Sequence, residues 1–134
     1  MLELADIRDW LKTIDSEAEN FYICKLDNKK EKSNGVYQLR TSNPPDIALG
    51  GQNVTKTLTK NISILIHWNK NAKQTEAEAL DLFKKLINAE SFYIKNIKIN
   101  YIRMLVHEPV DVGTDENNVY ERVIEASFYY EKGE

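Results

Sequence analysis

Apolar residues recur at two different periods along the chain, and each change of period marks a new element. Leu4, Ile7, Leu11 and Ile14 follow helical spacing with Trp10 beside them, which predicts an amphipathic helix over residues 2–14. Phe21 to Leu26 (FYICKL) is aromatic and β-branched and reads as a strand. The polar stretch LDNKKEKSNG then ends in Asn34-Gly35, a strong reversal signal, so Val36 to Arg40 is expected to return as its partner strand. In SNPPDIALGGQ, Pro44-Pro45 and Gly50-Gly51 break regular structure. From Asn53 a long strand is expected, polar in NVTKTLTKN and apolar in ISILIHW, with Ile62, Ile64, Ile66 and Trp68 on one face.

The second helix carries the clearest local signals. Thr75 followed by Glu78 matches a capping box, which sets the predicted start at Glu76. Ala79, Leu80, Leu82, Phe83, Leu86 and Ile87 make its apolar stripe, and Asp81 can pair with Lys85 one turn on. Ile94 to Val106 resumes strand character, with Ile97, Ile99, Tyr101 and Leu105 on one side and Ile102, Met104 and Val106 on the other. Val119 to Glu131 alternates: Tyr120, Ile124, Ala126, Phe128 and Tyr130 point one way, Glu121, Glu125, Ser127 and Glu131 the other. The order helix, strands, helix, strands predicts an α+β fold, a mainly antiparallel sheet with two helices on one face.

Size and charge narrow the setting. A chain of 134 residues suits one domain with one core, residues 1–134. The net charge of -3 is spread over interleaved lysines and acids, with KKEK at Lys29 to Lys32 the densest basic patch, so no nucleic-acid footprint is expected. No apolar run approaches the roughly 18 residues of a membrane span. The start MLELADIRDWL lacks the basic end and apolar stretch of a secretory signal. Cys24 is the single cysteine and is expected to be a small buried hydrophobe, in keeping with a reducing cytoplasm.

Candidate chemistry is sparse. The acids and amides of EPVDVGTDENNVYER (Asp111, Asp115, Glu116, Asn117, Asn118) are hard oxygen donors, but Gly113 is misplaced for a calcium loop and the predicted flanks are strands, so a polar hairpin connection is expected. His67 and His107 stand without a second ligand at metal-binding spacing and are read as surface or interface residues. ALGGQN lacks the GK[ST] ending of a phosphate-binding loop, and there is no nucleophile elbow. No catalytic residue, metal or cofactor is expected, and the protein is read as non-enzymatic.

The run KTLTKNISILIHWNKNAKQTEAEALDLFKKLIN, a following strand, and then HEPVDVGTDENNVYERVIEASFYY resemble the small tail terminator or minor capsid proteins of tailed bacteriophages and prophages. The pattern P-x-x-x-G-x-D-x-x-x-x-Y-E-R is carried by Pro109, Gly113, Asp115, Tyr120, Glu121 and Arg122. The resemblance implies an α+β protomer that assembles into a hexameric ring, caps the tail tube at its final length, and helps join tail to head connector in the virion. It implies as partners further copies of the chain, the tail tube protein and the head connector, with no membrane. Related stations of the same fold type, another head-tail joining or tail-completion protein, stay open, as does a cytoplasmic adaptor or regulatory domain.

A Pro-Pro, Gly-Gly loop and an acidic hairpin are long enough to reach a neighbour. Pro44, Pro45, Asp46, Gly50 and Gly51 on the first, with Pro109, Asp111, Gly113, Asp115, Tyr120 and Arg122 on the second, are therefore the candidate subunit or partner contacts, Arg122 towards an acid such as Glu121 of another protomer.

Overall fold

The computed structural model describes residues 1–40 and 57–131. In chain order these form α1 (Leu4–Ile14), β1 (Asn20–Ile23), β2 (Ser33–Gln38), β3 (Thr57–His67), α2 (Ala72–Ile87), β4 (Phe92–Ile94), β5 (Ile97–Met104), β6 (Val110–Thr114) and β7 (Tyr120–Glu131). SNPPDIALGGQ, with Pro44, Pro45, Asp46, Gly50 and Gly51, lies outside the described residues, as does the expected strand start at Asn53. The strands make one seven-stranded sheet ordered β1-β2-β3-β7-β5-β4, with β6 also paired to β7. Every pairing is antiparallel except β1 with β2. Two helices on a mostly antiparallel sheet give the expected α+β class.

Both helices feed one core. Ile7 and Leu11 of α1 and Ala79, Leu82, Phe83 and Leu86 of α2 cluster with Val36, Ile62, Ile64, Ile66, Ile99, Ile124, Ala126, Phe128 and Tyr130 of the sheet. The expected β3 and β7 faces are thus the buried ones. The sheet curls, so that α1 touches β1 and β2 at one edge and β4 near the other. Trp10 fastens this curl: its ring stacks on Phe92 of β4 at 4.5 Å and meets Phe128 of β7 edge-on at 5.8 Å.

Asn34-Gly35 does not turn the chain. Both residues lie inside β2, which runs parallel to β1, so the chain turns after β1 and crosses back before β2 instead of returning as an antiparallel partner. The Asp27 carboxylate accepts from the Lys29 amide at 3.0 Å, its carbonyl accepts from Lys30 at 3.0 Å, and Lys32 takes a positive φ of 54°. The Lys32 amide then donates to the Trp68 carbonyl at 2.7 Å, which delivers the chain to β3. Asn34 instead donates its side-chain amide to a buried Asp15 carboxylate oxygen at 2.6 Å. Gly35 is needed for space, since a Cβ there would lie 2.9 Å from side-chain atoms of Leu26 and Tyr37. Cys24 is also not the expected buried hydrophobe: it is exposed, with a φ of 63°, where β1 ends.

The start of α2 differs as well. Asn71 is the N-cap, its carboxamide oxygen accepting from the Gln74 amide at 3.0 Å, so the helix begins one turn before Glu76. Asparagine caps as well as threonine does, and Ala72, Lys73 and Gln74 are good helix formers that extend the helix backwards. Thr75 is then a buried first-turn residue donating to the Asn71 carbonyl at 2.9 Å. Glu78 does not close a capping box: burial, then the nearby Glu17, Asp81 and Asp15 carboxylates, push its pKa up. Ile87, expected in the stripe, is exposed, whereas the Asp81–Lys85 pair forms at 3.1 Å.

At the other helix, Asp6 is buried, accepts from the Glu3 amide at 3.0 Å and meets the Lys95 ammonium at 2.6 Å. Burial alone would raise its pKa, but Lys95 and the Glu3 amide outweigh burial and hold it below the ordinary carboxylate value. A depressed carboxylate pKa stabilises the fold fully above the unfolded value, 3.8, and that stabilisation is lost as pH falls through the lower folded value. Asp6→Asn should therefore melt below the parent at neutral pH, with the gap closing as pH falls below 3.8; an unchanged gap in a melting series would contradict this account. Gly35→Ala should cost about 1–3 kcal/mol in chemical denaturation through overpacking against Leu26 and Tyr37.

Candidate functional site

The acidic segment folds as the β6–β7 hairpin, and Asp111 and one oxygen of Asp115 are engaged by its own backbone. Asp111 accepts from the Gly113 amide at 2.8 Å across a bulge where Gly113 takes a φ of 88°. One Asp115 oxygen accepts from the amides of Asn117 at 2.9 Å and Val119 at 3.0 Å, which closes the turn. Asn118 supplies the left-handed residue, with a φ of 64°. Among the described residues no three His, Cys, Asp or Glu side chains converge as a metal site. The acids of this loop shape a hairpin, as the flanking alternation predicted.

His67 is not at the surface. It is fully buried at the end of β3, with Nδ1 2.9 Å from the Glu121 carboxylate and Nε2 3.2 Å from the Asn28 carbonyl. The second Asp115 oxygen lies 3.7 Å from Nε2 and has no hydrogen-bond partner within the chain. Each ring nitrogen faces an oxygen acceptor, so the imidazole donates to both only when doubly protonated. One side chain thereby ties β3, β7, the β6–β7 turn and the loop after β1 together. The sequence places His67 on the face opposite the isoleucines, which is correct, but not the loop that folds over that face. Register brings Glu121 opposite His67, and register is a property of the assembled sheet.

A bulge decides which side chains the helix-free face carries. The β5–β7 register slips between Ile99 and Tyr101, so Ile99, Ile102 and Met104 all turn to the core, while Tyr101, Arg103 and Leu105 turn away. The expected division, with Ile99, Tyr101 and Leu105 on one side, assumed unbroken alternation. On the open face Tyr101 stacks on Tyr129 at 4.4 Å, and Ser127 hydrogen-bonds to Asn61. The candidate contact residues Pro109, Asp111, Gly113, Asp115, Tyr120 and Arg122 all gather on the hairpin end. Pro109 is buried, Asp111 and Gly113 are exposed, and Asp115 and Tyr120 are half-buried. Arg122 has a partner within the chain, Glu76 of α2 at 3.6 Å, and Glu121 is engaged by His67.

Residues 1–132 match the profile of a family described as bacteriophage tail terminator protein. The chain belongs to that family. The match covers nearly the whole tail terminator chain, and the family is structural rather than enzymatic. A comparison with curated proteins finds no match. As a tail component, this terminator has the tail tube as its implied point of interaction, and no helix among its described residues is long and apolar enough to cross a membrane.

His67→Leu removes the ring nitrogens that bridge the Glu121 carboxylate and the Asn28 carbonyl and should cost about 1–3 kcal/mol by denaturant titration. A loss below about 0.5 kcal/mol, within the range of ordinary surface substitutions, would mean the clasp carries no stability.

Proposed function

We propose that the chain, as one domain over residues 1–134, assembles into a closed ring of six copies that seals the tail tube at its final length and joins tail to head connector. Family membership over residues 1–132 is the observation that supports this reading. A ring follows if the contact between copies is heterologous and its rotation closes. Two segments serve as contacts: the segment with Pro44, Pro45, Asp46, Gly50 and Gly51, and the hairpin with Pro109, Asp111, Gly113, Asp115, Tyr120 and Arg122. One faces the neighbouring copy and the other the tube or connector. The protein then ends up in the virion, at the tail or its junction with the head.

Two measurements test the proposal. Native mass spectrometry or sedimentation should find six copies, at high protein concentration or on addition of tail tubes. Phage lacking the gene should produce tails of uncontrolled length that do not join heads, and supplying the chain in trans should restore uniform tails. Rescued length without a ring on the tube end, seen by electron microscopy, would refute the ring.

A further inference from the structure

Glu121 and Asp115 are largely buried carboxylates, and among the described residues neither meets a lysine or an arginine. The group beside both that can carry positive charge is the fully buried His67 ring. Three elements aim oxygens at it. From β7 comes Glu121, 2.9 Å from Nδ1; from the loop after β1 (residues 24–32) comes the Asn28 carbonyl, 3.2 Å from Nε2. From the β6–β7 turn comes the Asp115 oxygen that has no hydrogen-bond partner, 3.7 Å from Nε2. β2 brings no charge: Ser33, opposite His67 in register, donates its hydroxyl to the Lys30 carbonyl. The Tyr37 phenol stays neutral, its pKa pushed up by burial first and by Glu121 second. Beyond Asn28, Lys25, Asp27, Lys29 and Glu116 line a pocket open to solvent.

A neutral imidazole has one N–H, so here its bare nitrogen faces an oxygen lone pair. The Glu121 carboxylate is the nearer and the stronger acceptor, which leaves the proton on Nδ1 and strips Nε2. Nε2, the Asn28 carbonyl and the Asp115 oxygen then confront one another as acceptors. Double protonation removes the conflict: the ring donates to Glu121 and Asn28 together and faces Asp115 as a cation. Burying a charged ring is costly in isolation, but two carboxylates with no other cation beside them offset that cost. A proton that completes the clasp is held more firmly with the clasp closed than open, so acid closes it and alkali opens it.

We propose that His67 is a pH-operated latch, which holds the loop after β1 against the β6–β7 turn when doubly protonated and releases that loop on losing its Nε2 proton to solvent. The bond from Nδ1 to Glu121 survives the change, so the β3–β7 pairing stays intact. Release is also confined at both ends of the loop. Leu26 is buried over Gly35, and the Lys32 amide is bonded to the Trp68 carbonyl, so the part let go is residues 27–31. Asn28 and Lys29 share a pocket wall with Glu116 and Asn117 of the turn, and the latch therefore sets the shape of that end of the molecule. It acts within one copy and does not depend on a ring.

Nitrogen NMR spectra of the histidine rings in the full chain, taken from about pH 5 to 9 across the range in which histidine changes charge, read the latch directly. His107 is exposed and serves as the internal reference, assigned with His107→Gln. His67 should carry both protons in acid and lose the one on Nε2 as pH rises. In step with that loss, amide exchange at Lys29 and Lys30, corrected for its intrinsic pH dependence, should speed up about tenfold, as expected for one lost charge-assisted hydrogen bond. The amides of Lys32, Ile64 and Ile124 should keep their protection. Asp115→Asn keeps the shape of the turn and removes one charge, so it should move the change to lower pH. His67→Gln should abolish the pH dependence of loop exchange. A His67 ring that stays in one protonation state throughout, that loses its Nδ1 proton first, or whose change leaves loop exchange unaltered overturns the latch, and the parent chain alone suffices to show any of these.

Discussion

Strand β7 is the member on which the molecule is built, because both of its backbone edges are used. β3 pairs with it from Thr57–Glu131 to His67–Glu121, while β5 and β6 share its other edge in succession. A strand held on both sides contributes a full face to the core, and here that face is Ile124, Ala126, Phe128 and Tyr130. The helices have nowhere else to bury their apolar stripes. α2 packs on β7 and β5, and α1 reaches β7 through Trp10 and Phe128.

Dividing one edge of β7 between two strands requires adjustment, and two bulges provide it. The slip after Ile99 keeps Ile102 and Met104 inward although the count of residues has changed parity, and the slip at Val112 turns the hairpin through Gly113. Each bulge places apolar or aromatic side chains on the outward side, Tyr101 and Leu105 at one and Val112 at the other. The same local irregularity that lets the core close also creates the exposed strip. Core geometry and the outward-facing apolar side chains are therefore two results of one pairing pattern.

What the sequence revealed and what it hid divide along physical lines. Strict alternation over Ile62–Trp68 and Ile124–Tyr130 made the two central strands readable, since their period is enforced by burial on one face. The helical stripe of α2 was readable for the same reason, while its start was not: Asn71, Asn69 and Thr75 are all competent caps, and which one wins depends on the chain entering from β3. Asn34-Gly35 misled because its turn preference is local, whereas the Asp15 hydrogen bond and the closeness of Leu26 are tertiary. The hairpin connection was readable from the strands expected on either side of it, while its turn geometry, set by Asp115 and Asn118, is visible only in the fold. The His67–Glu121–Asn28 cluster could not be found, because it joins three segments whose meeting depends on register.

The central β3–β7 pairing joins residues far apart in the chain, with His67 and Glu121 separated by 54 positions. Such a contact imposes most of its loop-closure entropy before any of its strand pairing is gained, which places the protein among slow folders of high contact order. During synthesis β3 emerges long before β7, so one edge of its apolar half stays unpaired until the last strand is made. The core cannot close earlier, and neither can the β6 edge, which exists only as an extension of β7. A chain whose core and β6 edge both wait for β7 becomes a folded unit only once β7 has been made, so the order of synthesis sets the order in which the sheet can close.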